Sequence, residues 1–218
     1  MDLPEDRSAG APYPARVTAR RYAISGRDHT GKTTVCHAVT AQLRARGVDA
    51  QMVDEQSRRS VALAQGRREV ATQLDLFART VVVELEVGRS TEVVVCDRSL
   101  VDILAYTDLL PEASGTGTGT GTGEQAGDPA GDLAMRRAMD AFAEHYLSTY
   151  AAIFVPSWRL HALDDDPLRA PVRHRQDELA AHIERRLAPY ADRVVRLDHQ
   201  ASAADNVVAH VLADLGRS

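Results

Sequence analysis

Gly26-Arg27-Asp28-His29-Thr30-Gly31-Lys32-Thr33 decides the fold of this chain. The eight residues read G-x-x-x-x-G-K-[ST], the phosphate-cradling pattern called Walker A. The surroundings are those the pattern requires. Arg21 to Ser25 is a short strand-like run before it. After it, from Thr34 to Arg46, Val35, Val39 and Leu43 recur four apart, as on one face of a helix. A strand, a tight loop and a helix in that order converge backbone N–H groups at a helix N-terminus, where unpaired amides and the positive helix end both favour anions. Gly26 and Gly31 supply backbone freedom that a Cβ would restrict. Lys32 is placed to reach the β- and γ-phosphates, and the Thr33 hydroxyl to ligate Mg²⁺. Asp28, His29, Thr30 and Thr34 complete the candidate nucleotide site.

Composition sharpens this. Of 26 basic residues, 25 are arginine, and Lys32 is the one lysine in the chain. An ammonium is a compact point charge on a thin stem, whereas a guanidinium is a bulky planar fork. A narrow loop wrapped around phosphate suits the former.

At 218 residues the chain fits one domain with a sizeable core. A net charge of −5 argues against a nucleic-acid binder and against a polybasic membrane anchor. No apolar run is long enough for a transmembrane helix, and the polar stretch Met1 to Pro14 lacks the apolar core of a signal peptide. Cytoplasmic residence is expected. Cys36 and Cys96 fit as small buried hydrophobes, without partner spacing for a metal and without a disulfide in a reducing compartment.

Residues 1–17 read as a disordered arm preceding a single domain at 18–218. A second strand spans about 49–55, and Ser57 is placed to cap a short helix ending near Gln65. A long helix follows from about Arg68 to Val87, with Val70, Leu74, Phe77, Val81 and Leu85 as its apolar stripe. Glu92 to Asp97 is nearly continuous in apolar residues, as in a parallel strand covered on both sides. Residues 112–132, with their Gly-Thr repeat, cannot bury enough apolar surface to offset ordering entropy and are expected to be a mobile insertion without function. Leu133 to Tyr150 is expected to be helical, Ala151 to Val155 a strand, Asp177 to Leu187 a helix, Val194 to Leu197 a strand and Ala203 to Leu215 a closing helix. Strands alternating with helices imply an α/β fold, a five-stranded parallel sheet with right-handed crossovers and helices on both faces. Ligands in such sheets sit beyond the carboxyl ends of the strands, so the 26–33 loop, Glu55, Asp97, Ser157 and Asp198 should share one rim.

Asp97 closes an apolar strand and could hold Mg²⁺ beside Thr33. Arg98 could touch a phosphate or serve a structural ion pair. Glu55 ends the second strand and is a candidate general base for an attacking hydroxyl. Asp54 is its neighbour, but side chains alternate along a strand, so one of the two should point inward. Gln73 and Glu84 lie on one helical face, where Gln73 beside Phe77 could read an aromatic acceptor; the alternative is that Phe77 is core and Gln73 exposed. Residues 157–176 carry Arg159, Arg169, Arg173 and Arg175 near Asp164, Asp165 and Asp166; they read as an arginine-bearing lid that could cover the transferring phosphoryl group.

The order of these motifs resembles the P-loop kinase branch that includes thymidylate kinases, deoxynucleoside kinases and nicotinamide riboside kinases. The likeness covers about residues 20 to 198 and is closest to the AAA-domain group related to nicotinamide riboside kinase. It rests on Glu55 with Arg58, on Gln73 and Glu84, on Asp97-Arg98 with Asp102 and Tyr106, and on Asp166 with Arg169. The resemblance implies a P-loop NTPase fold with strand order 2-3-1-4-5. It implies ATP- and Mg²⁺-dependent phosphorylation of a nucleoside, a nucleotide or a similar small acceptor. Lys32, Glu55, Asp97, Arg98, Arg169 and Arg173 are then the candidate catalytic residues, and Glu55, Arg58, Gln73 and Phe77 the candidate acceptor contacts. A tailoring kinase of a secondary metabolite fits the same residues. A regulatory NTPase signalling to a partner is the competing reading; the guanine-reading Asn-Lys-x-Asp of GTPases is absent. The partner is expected to be a small molecule, with neither nucleic acid nor membrane, and a homodimer is left open.

Overall fold

The structure, a computed structural model, describes residues 19–111, 128–158 and 174–217. The expected arm at 1–17, the Gly-Thr repeat, Arg159, Arg169, Arg173 and the three consecutive aspartates lie outside the described residues.

Five parallel strands form one sheet in the order β2-β3-β1-β4-β5, the order expected. They are β1 (Arg20–Ile24), β2 (Ala50–Val53), β3 (Val93–Asp97), β4 (Tyr150–Pro156) and β5 (Val194–Leu197). The helices are α1 (Lys32–Ala45), α2 (Val61–Ala64), α3 (Val70–Val87), α4 (Leu100–Asp108), α5 (Pro129–Leu147), α6 (Gln176–Leu187) and α7 (Ala203–Asp214).

Alternation along the strands feeds two cores. Tyr22, Ile24, Val93 and Val95 pack with Val35, Val39 and Leu43 of α1 and with Val207 and Val211 of α7. Ala23, Val94 and Cys96 face the other way, onto α3, α4, α5 and α6. All five residues of β3 are therefore buried, which is why its sequence is almost unbroken in apolar residues. In register, Ile24 lies opposite Asp97 and Val53 opposite Cys96. This pairing brings the phosphate loop, Glu55 and Asp97 to one edge. No helix among the described residues is long and apolar enough to cross a membrane.

Four expectations need correction. Helix α5 begins at Pro129, inside the stretch expected to be mobile through 132: Asp128 caps it by accepting a hydrogen bond from Ala130 N at 3.1 Å, and proline at the first helical position has no amide to leave unpaired. Tyr150 opens β4 rather than closing a helix. Ser60, not Ser57, caps the short helix α2, after a 3₁₀ turn at Gln56–Arg59. On α3, Leu85 is exposed and its neighbour Glu84 is buried, so the inward face runs through Val70, Gln73, Phe77, Val81 and Glu84.

Candidate active site

The 26–33 loop leaves β1 through Gly26 at φ 138°, passes His29 at φ 59° and enters α1 through Gly31 at φ 74°. Positive φ at both glycines is the conformation that excludes a Cβ most strongly. The start of the loop is pinned by a distant carboxylate: Gly26 N donates to Asp102 Oδ1 at 3.0 Å. Lys32 is buried and bends back across the loop, its Nζ donating to Arg27 O at 2.6 Å. Thr33 and Thr34 are exposed on the first turn of α1.

Thr33 Oγ1 donates to Asp97 Oδ2 at 2.6 Å, joining the loop to the end of β3. Asp97 Oδ1 is buried and has no hydrogen-bond partner among the described residues. Burial pushes the Asp97 carboxyl up, while the Thr33 hydroxyl and the Arg98 charge hold it back. A hydroxyl and a carboxylate oxygen aimed into a phosphate cradle are hard donors of the kind Mg²⁺ takes, with water and phosphate supplying the rest of its shell. The residues present fit that ion.

Arg98 follows Asp97 with φ 83°, unusual for a residue with a side chain. Its guanidinium is buried and shared among three carboxylates. Nε meets Glu55 Oε1 at 2.8 Å, Nη1 meets Asp102 Oδ1 at 3.2 Å and Nη2 meets Asp28 Oδ1 at 2.6 Å. Burial works against the charge, but Glu55, Asp28, Tyr106 and Asp102 overcompensate and hold Arg98 well above its ordinary pKa. Arg98 thus sits in an acidic cage rather than over the cradle, which favours the structural ion pair of the two roles expected for it. The Asp28 carboxylate takes Arg98, Tyr106 Oη at 2.5 Å and Gln176 Nε2 at 3.1 Å, so its side chain belongs to the cage.

Of the two acids ending β2, Glu55 is buried and Asp54 is half-exposed, ion-paired to Arg59. Glu55 also accepts from Ser57 Oγ at 2.6 Å and pairs with Arg58 at 3.6 Å. Beside it opens a cleft of about 100 Å³, a volume on the scale of one small ring. Leu63, Leu76, Ile103, Leu109 and Leu110 wall it, and Gln73, Thr80 and Glu84 add polar atoms. Gln73 thus stands where expected. Phe77 follows the apolar stripe instead of the acceptor: it is buried in the core edge-to-face with Phe142, with ring centroids 5.7 Å apart, and Leu76 beside it takes the wall.

Glu84 is fully buried, accepting hydrogen bonds from Tyr150 Oη at 2.8 Å and Tyr146 Oη at 3.0 Å. Burial pushes it up to about 7, with the two tyrosine hydroxyls and Arg21 opposing. Between its ordinary 4.5 and about 7 the folded chain keeps a proton that the unfolded chain releases. Stability from this group is therefore greatest at the acid end of that window and falls as pH rises through 7, by roughly 3 kcal/mol in all. Glu84→Gln is expected to flatten this part of the stability profile, measured by denaturant unfolding from pH 4.5 to 7.5; an unchanged slope would show that Glu84 ionises freely.

Two contacts were not foreseen. Gln176 Oε1 accepts from Asp28 N at 3.1 Å while its Nε2 binds the Asp28 carboxylate, so α6 grips the phosphate loop by its N-terminal residue. Trp158 Nε1 donates to Thr30 O at 2.9 Å. Both fall at the edges of the segment read as a lid, where no periodicity marks an individual residue.

A family model described as an AAA domain matches residues 21–201. No curated protein matches the chain. Among solved structures, the chain is similar to the NadR protein in complex with NR, at 15% identity and a TM-score of 0.66, over 93% of this chain and 52% of that one. It is also similar to the NadR protein in complex with NAD and AMP-PNP, at 15% identity and a TM-score of 0.62, over 92% and 51%. The chain spans about half the length of those structures, and at this identity the likeness is one of fold.

Proposed function

Because the chain belongs to this AAA-domain family, we propose that it is an ATP- and Mg²⁺-dependent kinase that phosphorylates a hydroxyl of a small, nucleoside-like acceptor carrying no phosphate of its own. The observation that carries this reading is the 2.6 Å contact between Thr33 and Asp97 beside a cleft edged by Glu55. A cradle for the donor and an enclosed space for an acceptor meet at one point. An NTPase that only signalled would need the cradle but not the cleft. The NadR structures with NR and with AMP-PNP agree with a small acceptor and an adenine nucleotide.

Charge favours a hydroxyl over a phosphate as the attacking group. An attacking phosphate would have to sit next to the cradle, against Asp28, Glu55 and Asp102, three buried carboxylates that already share Arg98, with Arg58 paired to Glu55 and Arg68 on the cleft wall. Two like unit charges about 6 Å apart repel by roughly 3 kcal/mol at an effective dielectric constant of about 20. A neutral or cationic acceptor avoids that repulsion.

In this reading the backbone of the 26–33 loop and Lys32 hold the β- and γ-phosphates. Thr33 and Asp97 would hold Mg²⁺, which neutralises charge on the phosphate oxygens when bound. Phosphoryl transfer passes through a loose transition state and asks mainly for position and charge. Glu55, fixed by Arg98, Arg58 and Ser57, accepts the hydrogen bond of the attacking hydroxyl, orients it and takes its proton late in the transfer. Gln73 and the apolar wall seat the acceptor's ring.

The deciding experiment is a panel of nucleosides, their monophosphates and related polyols, scored by mass for ATP-dependent gain of one phosphate. Nucleosides gaining mass while monophosphates do not is the expected result; monophosphates alone reacting would reject the charge argument. ATP hydrolysis unaffected by every acceptor would favour the signalling NTPase. Glu55→Gln is expected to lower kcat by about a hundredfold or more with ATP affinity nearly retained; parallel loss of ATP binding would remove Glu55 from the acceptor side.

A further inference from the structure

The kinase reading leaves the donor's base unplaced, and the sheet order restricts where it can lie. The acceptor cleft is built from the ends of β2 and β3 with α3 and α4, on one side of the cradle. In-line transfer puts the attacking and leaving oxygens on opposite sides of the phosphorus. The rest of the donor must therefore run the other way, over the ends of β4 and β5.

Trp158 stands there, two residues past the end of β4. It is held from both sides. Its Nε1 is occupied by Thr30 O, within the phosphate loop itself. Its neighbour Ser157 is tied to the end of β5, N and Oγ both donating to Leu197 O, at 2.9 and 3.0 Å. The indole packs against the core cluster that includes Leu197 and Ala203, yet stays partly exposed. Beyond β5, Asp198, His199 and Gln200 are exposed on the turn towards α7. The result is a large aromatic ring, fixed in orientation by its own N–H, against Thr30 of the 26–33 loop on the β4–β5 side.

We infer that the indole of Trp158 is the surface on which the base of the nucleoside triphosphate donor stacks. A purine, with the larger π-face, suits it best. Stacking on an aromatic side chain is tolerant of base identity and worth about tenfold or more in affinity, and a ring already immobilised loses little freedom on binding. This inference rests on the kinase reading.

Trp158 is the single tryptophan of the chain, so its fluorescence reports this ring alone. The test compares the Mg²⁺ complexes of AMP-PNP, which has a base, and inorganic tripolyphosphate, which has none. AMP-PNP should quench the wild-type emission strongly and tripolyphosphate weakly. By calorimetry, Trp158→Ala should weaken AMP-PNP about tenfold or more and leave tripolyphosphate within about twofold, while Trp158→Phe keeps most of the AMP-PNP affinity. Equal losses for both ligands would mean that the indole only shapes the loop through Thr30, and no loss for either would mean that the base lies elsewhere; each overturns the inference with the kinase reading intact. A wild-type protein binding neither ligand would overturn both together.

Discussion

Lys32→Ala is expected to reduce phosphoryl transfer by about a hundredfold to a thousandfold while the protein stays folded. The ammonium is buried against its own loop, 5% exposed, with Arg27 O as a near partner at 2.6 Å. A charge held in that position costs no reorganisation when negative charge spreads over the transferring oxygens, which is where its effect on rate comes from. The fold should survive because Tyr22 and Ile24 of β1 and Val35, Val39 and Leu43 of α1 pack in one apolar cluster that does not include Lys32. Lys32→Arg should fail nearly as badly, since a planar fork does not fit a loop closed around a thin stem. Steady-state turnover with the best acceptor, alongside circular dichroism, measures both halves. Turnover close to wild type would remove the cradle from the mechanism.

Arg98→Met is expected to have the largest effect on stability, about 3–5 kcal/mol at neutral pH. The substitution keeps an unbranched side chain of moderate size and deletes only the cation. Glu55, Asp28 and Asp102 then remain buried without the guanidinium that joined them. Arg98→Lys should rescue only part of the loss, because one ammonium cannot reach three carboxylates spread around a planar fork. The midpoint of thermal unfolding should fall by roughly 10 °C for a domain of this size. Lowering the pH towards 5 should recover part of the deficit, since protonating the acids removes the charge that has lost its partner. A variant as stable as wild type would mean that water reaches the cage freely.

The two sites differ in how far they could be read from the linear chain. The cradle is local. Eight consecutive residues specify two glycines at positive φ, a helix start and a lysine, and the flanking strand and helix show as an apolar run and a four-residue periodicity. The parallel sheet, its strand order and the placing of Asp97 at a strand end follow from short-range pattern and resemblance, because short apolar runs alternate with helical periodicity along the chain. The period of a strand required that one of Asp54 and Glu55 turn inward, and the structure buries Glu55.

The acidic cage was hidden for the opposite reason. Arg98 meets residues 43 and 70 positions away, through the parallel register that sets β1, β2 and β3 side by side. Nothing in the sequence near Arg98 announces a positive φ there, or that an aspartate of the phosphate loop turns to the acceptor side. The same holds for Phe77 and Leu76: helical periodicity puts both on the inner half of α3, and the arrival of Phe142 from α5 sent one to the core and left the other on the cleft. The chain alone therefore determined the strand, tight loop and helix at 20–46 and the standing of Asp97 at a strand end beside them. Only the packed structure decided what surrounds Glu55, because that depends on the balance of charges brought together from four separate segments, and such a balance exists only after the sheet has set their distances.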